Sequence, residues 1–308
     1  MVRTNLPRKD AAVMPEGINL WQFKPYEKIE VRPIAGALGA EIGGVDLSEP
    51  IGDALFGDIY QAFLEHQVIF FRDQEITPDQ YLAFAHHWGD IHRHPYMMGL
   101  PDHPDILELL KTETDTYAFG NTWHSDQMFA PRPAKCTMLY AKELPTVGGD
   151  TLFANMYMAY DSLSDGMKAL VGGLKGLNCG DRNQNKGGQS RAERYSGAQG
   201  MLLKDPGNIQ TDSVHPIVRT HVDTGRKGLY FGSHTLRLDG FTEAESEPIL
   251  GYLRDHCTRP EFTCRFRWGV GSLTIWDNRC VQHYAISDYQ GERRRMHRIT
   301  IQGEEAPF

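Results

Sequence analysis

The chain has 308 residues, 40% of them hydrophobic, and a formal net charge of −8. That is enough apolar sequence for one large domain or two small ones, and the acidic balance excludes nucleic acid as a primary partner. Five scattered cysteines (Cys136, Cys179, Cys257, Cys264, Cys280), no apolar leader at the start and no run of 18 apolar residues read as a reduced cytoplasmic protein, neither exported nor membrane-spanning.

Residues 1–27 are polar and Pro-containing, and are expected to form a flexible lead-in to a single domain over residues 28–308. Alternation from Ile29 predicts a strand that feeds the Gly-punctuated run from Gly36 to Leu47. Helical periodicity follows over Ala54–His66, then the apolar run Gln67–Phe71, which reads as a buried strand. Thr77-Pro78-Asp79-Gln80 has the residues of a helix start, with Thr as cap, Pro at the first position and Gln at the third. That helix is expected to carry Tyr81 to Trp88 and to exit into a loop holding His92 and His94. Surface or hydrogen-bonding roles are the usual fate of such loop histidines.

Ala134–Ala141 is a strand candidate, Gly148-Gly149-Asp150-Thr151 a turn feeding another, and Ser164–Val171 a helix. Residues 178–213 are the least apolar part of the chain, and are expected to form a lid or a disordered insertion. A hairpin is expected over 214–231. Thr242-Glu-Ala-Glu245 is a capping box for a helix reaching about Cys257. Phe262, Cys264, Phe266 and Trp268 alternate with polar residues as in a half-buried strand, and Leu273–Trp276 and Arg295–Gln302 add two more. Many strands around few helices, without regular strand–helix alternation, predict a mainly β fold with flanking helices, a sandwich or jelly roll.

Three His-x-Asp pairs occur among the 13 histidines: His103/Asp105, His124/Asp126 and His221/Asp223. A bare pair of this kind is more often structural than metal-binding. The first is interrupted by Pro104 and reads as a turn; the third sits before Thr224-Gly225-Arg226, where a hairpin tip would face solvent. In an extended Trp123-His124-Ser125-Asp126 run, His124 and Asp126 would share one face. A second histidine would complete the facial triad of non-haem Fe(II) oxygenases. Near the C-terminus, a strand would put Arg294, Met296 and Arg298 on one face and Arg293, Arg295 and His297 on the other. Two inward guanidinium groups are costly unless they bind anions; the bland alternative is a basic edge strand paired with surface acids.

The motifs Gly39-Ala-Glu-Ile-Gly-Gly-Val-Asp-Leu47, Trp123-His-Ser-Asp126, Gly148-Gly-Asp-Thr151 and Trp276-Asp-Asn-Arg279, followed by His283 and the Arg-rich tail, cover nearly the whole chain. In this order and spacing they resemble the taurine dioxygenase family of Fe(II)/2-oxoglutarate-dependent oxygenases, which includes alkylsulfatases and aryloxyalkanoate dioxygenases. The resemblance implies a double-stranded β-helix, the cupin-like jelly roll. It implies Fe(II) on His124, Asp126 and His283, with 2-oxoglutarate held by Thr151 and Arg294 and an anionic substrate by His94 and Arg298. O2 would be the second co-substrate, and hydroxylation would fragment a product whose hydroxylated carbon bears sulfur or an ester or ether oxygen.

Taurine-type members carry a polar amide where this chain has Gly120, and the run Leu229-Tyr230-Phe231-Gly232-Ser233-His234 also departs from their pattern. Gly120, Tyr230 and His234 therefore join the substrate-side candidates. With Met97 and Met98 they suggest a larger, more apolar anion than taurine: a sulfonate, sulfate ester, aryloxyalkanoate or similar carboxylate. A homo-oligomer, dimer or tetramer, is expected. A metal-dependent hydrolase or isomerase on the same jelly roll would leave Thr151 and Arg294 without a role, and a silent binding protein would not need intact ligands.

Overall fold

The computed structural model of the chain describes residues 24–115, 119–180, 204 and 209–308. Its main element is a seven-stranded sheet in the order β1 (Glu30–Pro33), β2 (Ala40–Gly43), β3 (Val68–Phe71), β13 (Leu273–Asp277), β5 (Cys136–Glu143), β15 (Arg294–Ile301) and β4 (Leu107–Lys111). A second sheet joins β12 (Thr263–Phe266), β6 (Thr151–Asn155) and β14 (Val281–Ala285). A third joins β11 (Thr235–Leu238), β7 (Lys175–Cys179) and β8 (Asp212–Pro216), and β9 (Val218–Thr220) pairs with β10 (Lys227–Leu229) as a hairpin. This is the jelly roll expected from the sequence.

Residue parity sorts the large sheet into two faces. Ile69 and Phe71, Met138 and Tyr140, Leu273 and Ile275, and Ile299 and Ile301 pack in one cluster with Ile59, Phe63, Phe84 and Trp88 of the outer helices α1 (Asp53–His66) and α2 (Pro78–His86) and the turn after them. Val68, Phe70, Leu139, Trp276 and Met296 point the other way, against Phe153, Phe266 and Val281 of the second sheet. Phe70 and Phe266 stack with ring centroids 4.0 Å apart. Each such fully buried ring stabilises the fold by roughly 1.5–3 kcal/mol relative to exposure. A third cluster, around Leu229, Phe231 and Leu238, packs with α3 (Met156–Asp161), α4 (Asp165–Val171) and α5 (Glu243–Cys257).

Both sequence-derived helix starts form full capping boxes. Thr77 Oγ1 accepts from Gln80 N at 3.3 Å while Gln80 Oε1 accepts from Thr77 N at 2.8 Å. Thr242 and Glu245 do the same at the start of α5, at 3.3 and 2.8 Å. The lead-in expected over 1–27 is docked where it is described. Lys24 N donates to Gln61 Oε1 at 3.1 Å, and Glu27 N donates to Asp58 Oδ2 at 2.7 Å, both on α1. Within the expected lid of 178–213, Asn178 and Cys179 belong to β7 and Asp212 and Ser213 to β8, because those strands pair in register there; its centre lies outside the described residues. The sequence also hides β4, and β14, the strand that carries His283.

The His221/Asp223 pair corrects the expectation of a solvent-facing tip. His221 is buried, and its Nε2 lies 2.9 Å from Asp277 Oδ2. The hairpin is drawn inward by Arg279, a buried cation that donates to Asp277 Oδ1 from Nε at 2.8 Å and to Asp277 Oδ2 from Nη2 at 2.7 Å. Its Nη1 reaches Asp223 Oδ2 at 2.6 Å, and Tyr60 donates to the same oxygen at 2.9 Å. His103, by contrast, is the turn residue expected, 3.1 Å from the exposed Asp79.

This network gives stability a pH dependence. Burial, and then the Arg279 charge, push the His221 pKa down. Burial would raise the Asp277 carboxyl, but Arg279 and His221 outweigh it and hold the group well below the usual carboxylate range. Both groups bind protons more readily in the unfolded chain, so acid favours unfolding. The His221 contribution is complete above about pH 6.5 and fades as pH falls from there; that of Asp277 fades below about pH 4. Thermal unfolding followed from pH 7.5 to 5 should show a falling Tm, with a shallower slope in His221→Asn. An unchanged slope would remove His221 from this account.

Candidate metal and anion site

His124 and Asp126 do not lie on a regular strand. His124 forms an isolated bridge to His283, with His124 N donating to His283 O at 3.1 Å and His283 N to His124 O at 2.8 Å. This closely hydrogen-bonded pair sets the two imidazoles side by side, ring centroids 4.1 Å apart. The chain then turns, with Gln127 at φ 53°, and brings the Asp126 carboxylate back toward both rings. Asp126 Oδ1 lies 3.7 Å from His124 Nε2 and 3.9 Å from His283 Nε2. A cation about 2.1 Å from each donor needs donor separations of roughly 3–3.5 Å, so the set is nearly closed already. All three side chains are buried.

The hydrogen bonds around the triad fix which atoms face its centre. The peptide oxygen of Thr122 sits 2.6 Å from His124 Nδ1, which puts the proton there and the lone pair on Nε2. Thr137 donates to Asp126 Oδ2 at 2.6 Å, leaving Oδ1 to face the imidazoles. Asn278 ties this together: its Oδ1 accepts from Asp126 N at 3.1 Å and from Trp276 Nε1 at 3.1 Å, and its Nδ2 donates to Thr137 Oγ1 at 2.9 Å. Thr137 and Asn278 carry no signal of this role in the sequence, although Asn278 lies in the Trp-Asp-Asn-Arg motif.

Burial would raise the Asp126 carboxyl, but the Arg298 charge foremost, with the bond from Thr137, outweighs it and pulls the group well below its ordinary range. Burial drives His283 far down, and it is neutral. A neutral imidazole and an ionised carboxylate are the ligand-ready states of these group types.

Arg294, Met296 and Arg298 are the buried residues at the start of β15, alternating with half-buried Arg295 and His297, as the parity argument required. Arg298 Nη2 approaches Asp126 Oδ1 to 2.9 Å without the angle of a hydrogen bond, and its Nε donates to Thr300 Oγ1 at 3.2 Å. Arg294 is buried among Trp268 and Tyr289, its guanidinium carbon 5.8 and 6.0 Å from their ring centroids. Its Nε and Nη2 find no hydrogen-bond partner among the described residues. Burial lowers the Arg294 pKa. These two nitrogens form the edge of a guanidinium that grips a carboxylate through two parallel bonds, so the donor set fits one carboxylate.

The Gly148-Gly149-Asp150-Thr151 strap is explained by crowding. A Cβ on Gly149 would sit 3.3 Å from Arg294 Cδ, and one on Gly148 would meet Asp288 Oδ1 at 2.5 Å; both have positive φ. Asp150 is held by Arg265 at 2.6 Å, and Thr151 Oγ1 accepts from Trp268 Nε1 at 3.0 Å.

On the substrate side, His94 is buried and its Nδ1 accepts from Tyr96 N at 3.1 Å. Neighbouring rings run from His94 to Tyr96 (6.1 Å), Phe129 (6.2 Å), His234 (5.2 Å) and back to His124 (6.2 Å). Gly120, at φ 79°, lies against the triad: a Cβ there would be 3.5 Å from His124 Cε1 and 3.6 Å from Ala285 Cβ. Tyr230 packs under Arg219 (4.8 Å) and beside His215 (6.1 Å). A second close group, His221, Asp277 and Cys280, has its carboxylate neutralised by Arg279 and is structural.

Comparison with known proteins agrees with this geometry. The family described as taurine catabolism dioxygenase TauD, TfdA matches residues 30–300. An alkylsulfatase of Acinetobacter baylyi is 33% identical over 281 residues, covering 91% of this chain and 87% of its own. An alpha-ketoglutarate-dependent sulfate ester dioxygenase of Pseudomonas putida is 33% identical over 282 residues, covering 90% of each. The crystal structure of a taurine dioxygenase from Burkholderia xenovorans superposes with a TM-score of 0.75 at 31% identity, covering 91% of each chain.

Proposed function

Because this chain belongs to the taurine catabolism dioxygenase TauD, TfdA family, we propose that it hydroxylates a small-to-medium organic anion at the His124, Asp126 and His283 site. The chain is an alpha-ketoglutarate (2-oxoglutarate)-dependent non-haem iron dioxygenase. Two imidazoles and a carboxylate suit the facial set of such sites, and we assign Fe(II) to His124 Nε2, His283 Nε2 and Asp126 Oδ1. Iron in that position supplies the redox chemistry that couples oxidative decarboxylation of 2-oxoglutarate by O2, giving succinate and CO2, to hydroxylation of the substrate.

The observation that carries the co-substrate assignment is the unpartnered Nε/Nη2 edge of buried Arg294. A buried guanidinium without an anion is costly, and the far carboxylate of 2-oxoglutarate satisfies it. The Thr151 hydroxyl, on β6 of the second sheet, donates to the same carboxylate. A non-oxidative hydrolase would leave that edge empty.

Arg298 supplies the positive charge of the substrate pocket and His94 a ring N–H donor, with Tyr96, Phe129 and His234 as its walls. Arg298 also offsets the Asp126 charge, which keeps the carboxylate ionised in a water-poor setting. Gly120 leaves room beside His124, so the pocket suits an anion with a bulky alkyl or aryl body: a sulfate ester, sulfonate or aryloxyalkanoate. Relatives named for sulfate esters and alkyl sulfates support that class. Substrate-dependent succinate release across alkyl sulfates, sulfonates, aryloxyalkanoates and matched uncharged alcohols tests it. Anions should exceed their uncharged counterparts by about tenfold or more, since one charged hydrogen bond contributes about 1.5–3 kcal/mol. Preference for the uncharged series would sink the reading.

A further inference from the structure

The two groups assigned to the far carboxylate of 2-oxoglutarate share one neighbour. Trp268 follows β12, is 8% exposed, and donates from Nε1 to Thr151 Oγ1 at 3.0 Å, while its ring faces Arg294 at 5.8 Å. We infer that Trp268 is the positioning residue for 2-oxoglutarate, orienting the Thr151 hydroxyl and the Arg294 guanidinium together. The inference rests on the function proposed above.

The chemistry of the indole makes the first half directional. Its N–H can only donate, whereas a hydroxyl has one proton and two lone pairs. Occupying one lone pair of Thr151 Oγ1 leaves its single proton to be given to an acceptor. A carboxylate in front of the Nε/Nη2 edge of Arg294 is such an acceptor. The second half is steric and electrostatic: the Trp268 ring, at 5.8 Å, and the Tyr289 ring, at 6.0 Å, crowd the guanidinium. Gly149, against Arg294 Cδ, bounds the space from the backbone side.

The indole is itself immobile. Phe266 meets it edge-on at 5.0 Å and 84°, and Phe266 stacks on Phe70 of the seven-stranded sheet at 4.0 Å. Trp268 thus transmits the rigidity of the core to two donors that come from different sheets, Thr151 on β6 and Arg294 on β15.

Trp268→Phe keeps an aromatic ring and removes the donor; Thr151→Val removes the acceptor. Anaerobic titration of 2-oxoglutarate into the Fe(II)-loaded protein, read by the visible charge-transfer band, should show about fivefold to tenfold weaker binding in each variant, the value of one buried hydrogen bond. The double variant should bind about as well as Thr151→Val alone, because the two act through one hydroxyl. Iron affinity should stay within about twofold of wild type, so that the loss falls on 2-oxoglutarate binding alone. Trp268→Leu, which also loses the face under Arg294, should weaken binding further than Trp268→Phe. Wild-type affinity in Trp268→Phe, strict additivity with Thr151→Val, or an equal loss of iron affinity would each overturn the inference. If wild type itself gave no band, the functional reading would fall first and this one with it; a wild-type band with unaffected variants would overturn this one alone.

Discussion

Asp126→Ala is expected to lose substrate-dependent succinate formation by about a thousandfold or more, because a metal centre supplies several kcal/mol of catalysis and each 1.36 kcal/mol is a factor of ten. The effect should begin at iron binding. Asp126 Oδ1 is the only carboxylate atom that faces both His124 Nε2 and His283 Nε2 among the described residues. The same substitution strands Arg298, whose Nη2 sits 2.9 Å from that oxygen. Removing one partner from a buried pair costs about 3–5 kcal/mol of stability, so urea unfolding should register the loss as well. Asp126→Asn keeps the volume and separates the two effects. It should retain more of the fold while still losing iron affinity. An Asp126→Ala protein that binds Fe(II) within tenfold of wild type would place the metal elsewhere.

Arg294→Met has a different signature. Two charge-assisted hydrogen bonds of about 1.5–3 kcal/mol each are withdrawn from the co-substrate, weakening 2-oxoglutarate binding by roughly 10²- to 10⁴-fold. The stability of the protein without 2-oxoglutarate should hold or rise. Nε and Nη2 of Arg294 lack partners, and burial already pulls the Arg294 pKa down. Replacing such a cation by an apolar side chain of similar length removes a desolvation cost. Paired measurements of 2-oxoglutarate affinity and urea unfolding decide the matter. Loss of stability with unchanged affinity would make Arg294 a structural residue and remove the main support for the co-substrate assignment.

Local patterns account for what could be read in the sequence. Period-two alternation put Arg294 and Arg298 on one inward face, and both capping boxes form where the Thr-x-x-Gln and Thr-x-x-Glu spacings place them. His124, Asp126 and His283 do converge. What escaped depends on contacts between distant segments. The extended run proposed for His124 is a single bridge followed by a turn, because its geometry is dictated by His283 rather than by its own residues. The His221/Asp223 tip looked exposed because nothing nearby announces Arg279, whose buried charge pulls the hairpin inward. Thr137, Asn278 and Trp268 are ordinary core residues in the sequence, and become functional neighbours only when β5, β13 and the β12 exit pack around the triad and the Arg294 pocket.

The most direct test of the central claim is anaerobic. Fe(II) and then 2-oxoglutarate are added to the metal-free protein, and the visible charge-transfer band of the Fe(II)–2-oxoglutarate complex is followed. Wild type should give a saturable band, Asp126→Ala none, and Arg294→Met a band only at far higher 2-oxoglutarate. Folded wild type without a band, or variants that titrate as it does, would contradict an iron and 2-oxoglutarate site at His124, Asp126, His283 and Arg294.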